Sequence, residues 1–140
     1  MKIVITGGPS AGKTTVVDIL CRNEWFRLAG VPEAASILYR GGFPRSTEKI
    51  HVRCQQRAIY HVQRELEEIG FLDASRRSLI CDRGTLDGLA YWPDSEDQFF
   101  STLESSMEAE IARYDWVVHL DTAAPEDYKS SEVRLEHSSE

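Results

Sequence analysis

The sequence predicts an α/β fold with a mostly parallel sheet and helices on both faces. Three observations predict it. Short apolar, β-branched runs alternate with longer stretches of helical periodicity. The first run passes through a glycine-rich loop straight into a helix. A carboxylate stands just after each of the other runs, where open α/β sheets place their ligands.

The elements follow in order. Lys2-Ile-Val-Ile-Thr6 reads as a buried strand. Residues 13–23 carry Val16, Val17, Ile19 and Leu20 at helix spacing. Residues 26–32 read as a second strand, ending at Glu33. A short helix over 34–40 is stopped by Gly41-Gly42, and Phe43-Pro44-Arg45 is turn-like. Ser46 is the expected N-cap of a long helix, with Glu48 in its first turn. Its expected apolar stripe is Ile50, Cys54, Ala58, Val62, Leu66 and Ile69, and Gly70 is its expected end. Ser78-Leu-Ile-Cys81 is a buried strand that delivers Asp82. Leu86 to Tyr91 is a short helix broken by Pro93. Ser95 caps a long helix with Phe99, Phe100, Leu103, Met107 and Ile111 on one face. Trp116-Val-Val-His-Leu120 is the last strand, ending at Asp121.

The 140 residues and 41% hydrophobic content suit one domain, 1–140. From Asp121 onward the chain turns polar, with Val133 and Leu135 its only aliphatic residues larger than alanine. Such folds need at least one more buried strand. The expectation is therefore a domain whose C-terminal part is missing, with 121–140 as a lid or mobile tail. The net charge of −7 argues against a dominant nucleic-acid or anionic-membrane surface. Three cysteines without a C-x-x-C pair read as small buried thiols of a reducing cytosol. No apolar run approaches a membrane span, and the expected location is cytoplasmic.

The chemistry begins at Gly7-Gly8-Pro9-Ser10-Ala11-Gly12-Lys13-Thr14, followed by Thr15. This is G-x-x-x-x-G-K-[ST], a phosphate-binding loop. Its glycines let successive N–H groups turn inward to phosphate oxygens. Lys13 brings a mobile charge to the β- and γ-phosphates, and the Thr14 hydroxyl is a Mg²⁺ ligand. The anion sits at a helix N-terminus. The fold class sharpens to a three-layer, kinase-like P-loop NTPase.

Asp82 occupies the place of a Walker B carboxylate. It can hold Mg²⁺, directly or through water, or accept a proton from an attacking hydroxyl; a helix-cap role is the alternative. Arg83 suits phosphate or a surface ion pair equally. Glu33 suits acceptor hydroxyls, a metal-bound water or a helix first turn. Asp87 and Asp121 are weaker candidates, explained as well by turns and caps. Arg53, Arg57 and Arg64 share a helix face that is expected to be solvated, with Arg57 the one that can reach the site. His51, His61, His119 and His137 lack metal spacing. Arg134 stands where a lid arginine closes over the phosphates in P-loop kinases, with an exposed tail arginine as the default reading.

Ile5-Thr-Gly-Gly-Pro-Ser-Ala-Gly-Lys-Thr-Thr15, Val31-Pro-Glu-Ala-Ala35, Cys81-Asp-Arg-Gly-Thr-Leu-Asp-Gly88 and Tyr114-Asp-x-Val-Val-His-Leu120 carry a resemblance over most of residues 1–136. The chain resembles the AAA-type ATPase domain family related to the NadR ribosylnicotinamide kinase. That family also includes the animal proteins that bind GTP and phosphatidic acid in TRP-channel trafficking. Asp82-Arg83-Gly84 is similar to the acidic-Arg pair of deoxynucleoside and thymidylate kinases. The resemblance implies a base or metal-ligand role for Asp82, phosphate contact for Arg83, and a place near the acceptor for Glu33. It departs at the end of the chain, where family members continue through a lid, a strand and a helix.

Two functions are carried forward. One is a kinase moving the γ-phosphate of ATP to a nucleoside-like hydroxyl with Mg²⁺. Its nucleotide would contact Gly8 to Thr15 and Arg134, its metal Thr14 and Asp82. The other is a nucleotide-binding switch or slow NTPase acting through a lipid or protein partner. No [NT]-K-x-D motif is present, which argues against an ordinary GTPase while leaving GTP open as the nucleotide. No nucleic-acid partner is expected.

Overall fold

The computed structural model describes residues 1–73 and 78–122. Within them, β1 (Lys2–Gly7), β2 (Leu28–Val31), β3 (Ser78–Asp82) and β4 (Trp116–Leu120) form a sheet in the order β2-β3-β1-β4. Every pairing is parallel, as the alternation with helices requires. After β1 the chain goes to one side for β2 and β3, then to the other for β4. The carboxyl end of β1 therefore lies where the strand order reverses.

Side-chain alternation divides the core between the two faces of the sheet. Ile5, Leu28 and Ile80 pack on Val17 of α1 (Lys13–Arg22). Val4, Val31, Leu79 and Cys81 face the other way, against Leu66 of α3 (Lys49–Leu72) and Tyr114. A third cluster joins Tyr60 of α3 to Trp92 and to Phe99, Phe100 and Leu103 of α4 (Glu96–Leu103). The Trp92 and Phe99 rings meet edge-on at 5.4 Å. α2 (Ala34–Arg40) ends at Gly41 as expected.

α3 departs most from its expected form. Only part of the apolar stripe faces the core: Leu66 packs on the sheet, but Ile50, Cys54 and Ile69 are exposed. The buried positions are Gln55, Gln56, Tyr60, Gln63 and Glu67. Periodicity identifies a helix, but it cannot show which face is covered when polar side chains find buried partners. The helix also passes through Gly70 to Leu72. A Cβ at Gly70 would sit 3.0 Å from Leu79 Cδ2, so this glycine permits close packing on β3 rather than ending the helix. Ser46 does not cap it. Its hydroxyl accepts from the Glu48 N–H, while Gln55 Nε2 donates to the Pro44 and Ser46 carbonyls and lays that segment alongside the helix. Glu48 is the N-cap.

Other boundaries move for local reasons. β2 begins at Leu28 because Asn23 to Arg27 form turns, with Arg27 at φ 49°. Residues Thr85–Tyr91 form a 3₁₀ helix. The helix that begins after Ser95 is two helices. Glu104, at φ 52°, ends α4, and the Ser106 side chain accepts from the Ala109 N–H to start α5 (Met107–Ile111). Ile111 is exposed.

Cys81 is buried, and burial pushes its thiol up to about 12; Cys54, expected inside, is exposed. β4 keeps Trp116, Val117 and Val118 largely exposed. No helix among the described residues is long and apolar enough to cross a membrane. The lid expected at 121–140 lies, beyond Thr122, outside the described residues.

Candidate functional site

The loop between β1 and α1 has the backbone its sequence asks for. Ser10 lies at φ 58° and Gly12 at φ 81°, turning the chain into the left-handed region before the helix. Gly7 sits against β4, where a Cβ would lie 2.2 Å from the Leu120 carbonyl oxygen. No side chain caps α1, and its first turn holds no acid, so its leading N–H groups remain donors for an anion. Lys13 is buried and its Nζ donates to the Gly8 carbonyl at 2.6 Å. Desolvation, then the Arg83 charge, lowers its pKa against the pull of Asp82, Glu33 and Asp87. Pro9 in the loop and Thr14 and Thr15 in the first turn of α1 are exposed.

β3 ends by directing Asp82 at this loop. The Thr14 hydroxyl donates to Asp82 Oδ2 at 2.5 Å. Asp82 Oδ1 is buried with no hydrogen-bond partner among the described residues. Burial raises the Asp82 pKa, and the Thr14 bond only partly offsets it. A buried carboxylate oxygen without a donor, next to a hydroxyl at the foot of the loop, fits a hard cation held by oxygen. Among the described residues no cluster of three His, Cys, Asp or Glu could hold a metal by itself.

Arg83 adopts φ 70°, costly for a non-glycine residue. Its guanidinium donates from Nε to Glu33 Oε1 at 2.7 Å, and from Nη1 to Asp87 Oδ1 at 3.1 Å and the Gly7 carbonyl at 3.3 Å. Glu33 also accepts from the Ser36 hydroxyl. Burial works to raise its pKa, but the Ser36 and Arg83 donors outweigh that and hold it below its ordinary value. Asp87 accepts from the Thr6 hydroxyl at 2.7 Å and the Gly84 N–H at 2.8 Å. Three strand ends are thereby tied through one arginine. Beside them opens a cavity of about 350 Å³, whose polar lining includes Thr6, Arg83, Asp87, Tyr91 and His119.

The structure thus brings together Lys13, Thr14, Glu33, Asp82 and Arg83, all singled out by sequence. Asp87, weighted low, belongs with them. Asp121 is fully exposed, 3.9 Å from His119 Nε2. Arg57 is exposed and donates to Cys54 Sγ, away from the cluster. Arg53 pairs with Asp94, and Arg64 donates to the Tyr60 hydroxyl. Arg134 lies outside the described residues.

A family model described as an AAA domain matches residues 2–140. The chain belongs to that AAA domain family. No curated protein matches it. Among solved structures, this AAA domain is similar to the crystal structure of shikimate kinase from Aquifex aeolicus. The two are 18% identical, 85% of each chain is covered, and the TM-score is 0.38.

Sequence reasoning missed part of the AAA domain's site. Asp87, only a weak candidate by sequence, is brought to Arg83 by the turn into the 3₁₀ helix, a geometry that residue spacing does not announce. Gln63, Glu67 and Glu110, which lie beneath the Asp82–Thr85 turn, gave no signal, and Tyr114 beside them entered only as the first residue of a resemblance motif, with no role attached. They come from α3, α5 and the turn before β4, and only the fold assembles them.

Proposed function

We propose that this AAA domain, acting as one nucleotide-binding unit over residues 1–140, transfers the γ-phosphate of ATP to a hydroxyl of a small, nucleoside-like acceptor. The observation that carries this reading is the meeting of Lys13, Thr14, Asp82 and the Glu33–Arg83–Asp87 cluster at the carboxyl ends of β1, β2 and β3. Lys13 leaves the Gly8 carbonyl for the β- and γ-phosphates, while the loop N–H groups and the start of α1 hold the same oxygens. Mg²⁺, when bound, is held by the Thr14 hydroxyl and by Asp82, directly or through water, and neutralises phosphate charge. The acceptor occupies the cavity beside Arg83, which is of small-molecule size.

In the transfer the acceptor oxygen forms a bond to γ-phosphorus as the bond from that phosphorus to the β–γ bridging oxygen breaks. ADP leaves, and the hydroxyl proton passes to Asp82. Asp82 Oδ1, buried and without a donor of its own among the described residues, is the oxygen that can take it. Arg83, steadied by two carboxylates, faces the transferring charge, and Glu33 aligns the acceptor. The resemblance to the ribosylnicotinamide kinase favours a riboside.

The test is a phosphorylation screen of ribosides and deoxyribosides at saturating Mg²⁺–ATP, repeated with GTP. A labelled product supports transfer. Tight nucleotide binding with no product from any acceptor replaces it with the nucleotide-switch reading, acting through a lipid or protein partner. Lys13→Ala should weaken ATP binding about 100-fold by calorimetry, from loss of charge-assisted bonds. Asp82→Asn should leave affinity far closer to wild type and lower turnover instead. Equal ATP affinity of Lys13→Ala and wild type would sink the phosphate-loop assignment.

A further inference from the structure

Beneath the Asp82–Thr85 turn lies a buried polar network that meets the acceptor cavity at Tyr114 and whose carboxylates phosphate transfer, as described, does not use. Its centres are Glu67 and Glu110, 0% and 2% exposed, where an unpaired carboxylate would be costly. Glu67 accepts from Lys2 Nζ, Arg113 Nη2, Gln63 Nε2 and the Tyr114 hydroxyl, all within 3.0 Å. Glu110 accepts from the hydroxyls of Tyr60, Thr85 and Ser105. Burial works to raise both pKa values, but the donors outweigh it and keep both carboxyls below their ordinary range.

The upper side of this network grips the turn. The Thr85 N–H donates to the Tyr114 hydroxyl at 2.8 Å, and Gln63 Nε2 donates to the Arg83 carbonyl at 3.2 Å. Gly84 lies on the tyrosine, where a Cβ would be 3.0 Å from its oxygen. Arg83 therefore keeps its left-handed backbone beside a carbonyl held by Gln63 and two residues before an amide held by Tyr114.

We propose that Tyr114 is a positioning residue. Its hydroxyl links Glu67 to the Thr85 N–H and so holds Asp82 and Arg83 in register with the phosphate loop. The catalytic consequence rests on the transfer reading above; the grip itself does not. Tyr114→Phe removes one oxygen and keeps the ring. It should speed hydrogen exchange at the Thr85 amide about tenfold or more, the scale of one lost buried bond. It should lower kcat by about tenfold or more with KM for ATP within about twofold, since misplacement of reacting groups acts on the chemical step. Gln63→Met, which frees the Arg83 carbonyl, should lower kcat in the same way. Ser105→Ala is the control. It removes a donor to Glu110 away from the turn and should leave Thr85 exchange and kcat at wild-type values.

Unchanged Thr85 exchange in Tyr114→Phe overturns the proposal. So does a kcat loss in Ser105→Ala equal to that in Tyr114→Phe, because general loosening would then explain both. Absence of turnover by the wild type with every acceptor would instead overturn the transfer reading, with exchange still deciding the role of Tyr114.

Discussion

Asp82 is a carboxylate held where its charge is disfavoured. Burial raises its pKa, so the folded protein binds this proton more tightly than the unfolded chain does. Its contribution to stability is most favourable at low pH and declines as pH rises through the raised folded pKa. Neutralising it should therefore help the ligand-free fold. Asp82→Asn keeps an oxygen for the Thr14 hydroxyl and removes the buried charge. Its melting temperature at neutral pH should rise by a few degrees, while any turnover by the proposed phosphate transfer falls about 100-fold or more. A scanning-calorimetry melt below that of wild type would contradict this. Arg83 shows a related conflict, spending backbone strain to place its guanidinium between Glu33 and Asp87.

Elements are where sequence and structure part company. The strand–loop–helix unit at the N-terminus was legible because one short segment holds all of its requirements. Asp82 and Arg83 were legible because a buried strand has to end somewhere, and they stand at that point. α3 was misread because its buried polar face, Tyr60, Gln63 and Glu67, is made tolerable largely by partners distant in sequence. No window of residues contains Glu110 or Tyr114 together with them. Two substitutions probe this scale. Gly84→Ala would push a Cβ to 2.9 Å from Val4 Cγ2 and against Tyr114, and should destabilise by about 1–3 kcal/mol in urea unfolding. Glu104→Gly should stabilise by about 1 kcal/mol, because a residue at φ 52° ends α4. Loss of stability there would mean that the Glu104 side chain matters more than its backbone.

At the scale of the molecule, several carboxylates set the response to acid. Glu33, Glu67 and Glu110 have folded pKa values below their ordinary 4.5, despite burial, because hydrogen-bond donors surround them. Each contributes stability above that value and loses it as pH falls through the lowered folded pKa. Asp94, paired with Lys49 and Arg53, is lowered in the same sense, so among the described residues Asp82 opposes four groups. Denaturant midpoints should fall steadily as pH drops below about 4.5. A flat profile there would count against the buried network. The cluster at the phosphate loop has a kinetic consequence of its own. Its two cations, Lys13 and Arg83, stand among three carboxylates, Glu33, Asp82 and Asp87, on a chain of net charge −7. A free triphosphate approaches against a repulsive field, so added salt should quicken its association rather than slow it. A nucleotide already carrying its cation should arrive faster than the bare anion, and stopped-flow traces at two ionic strengths would show the difference.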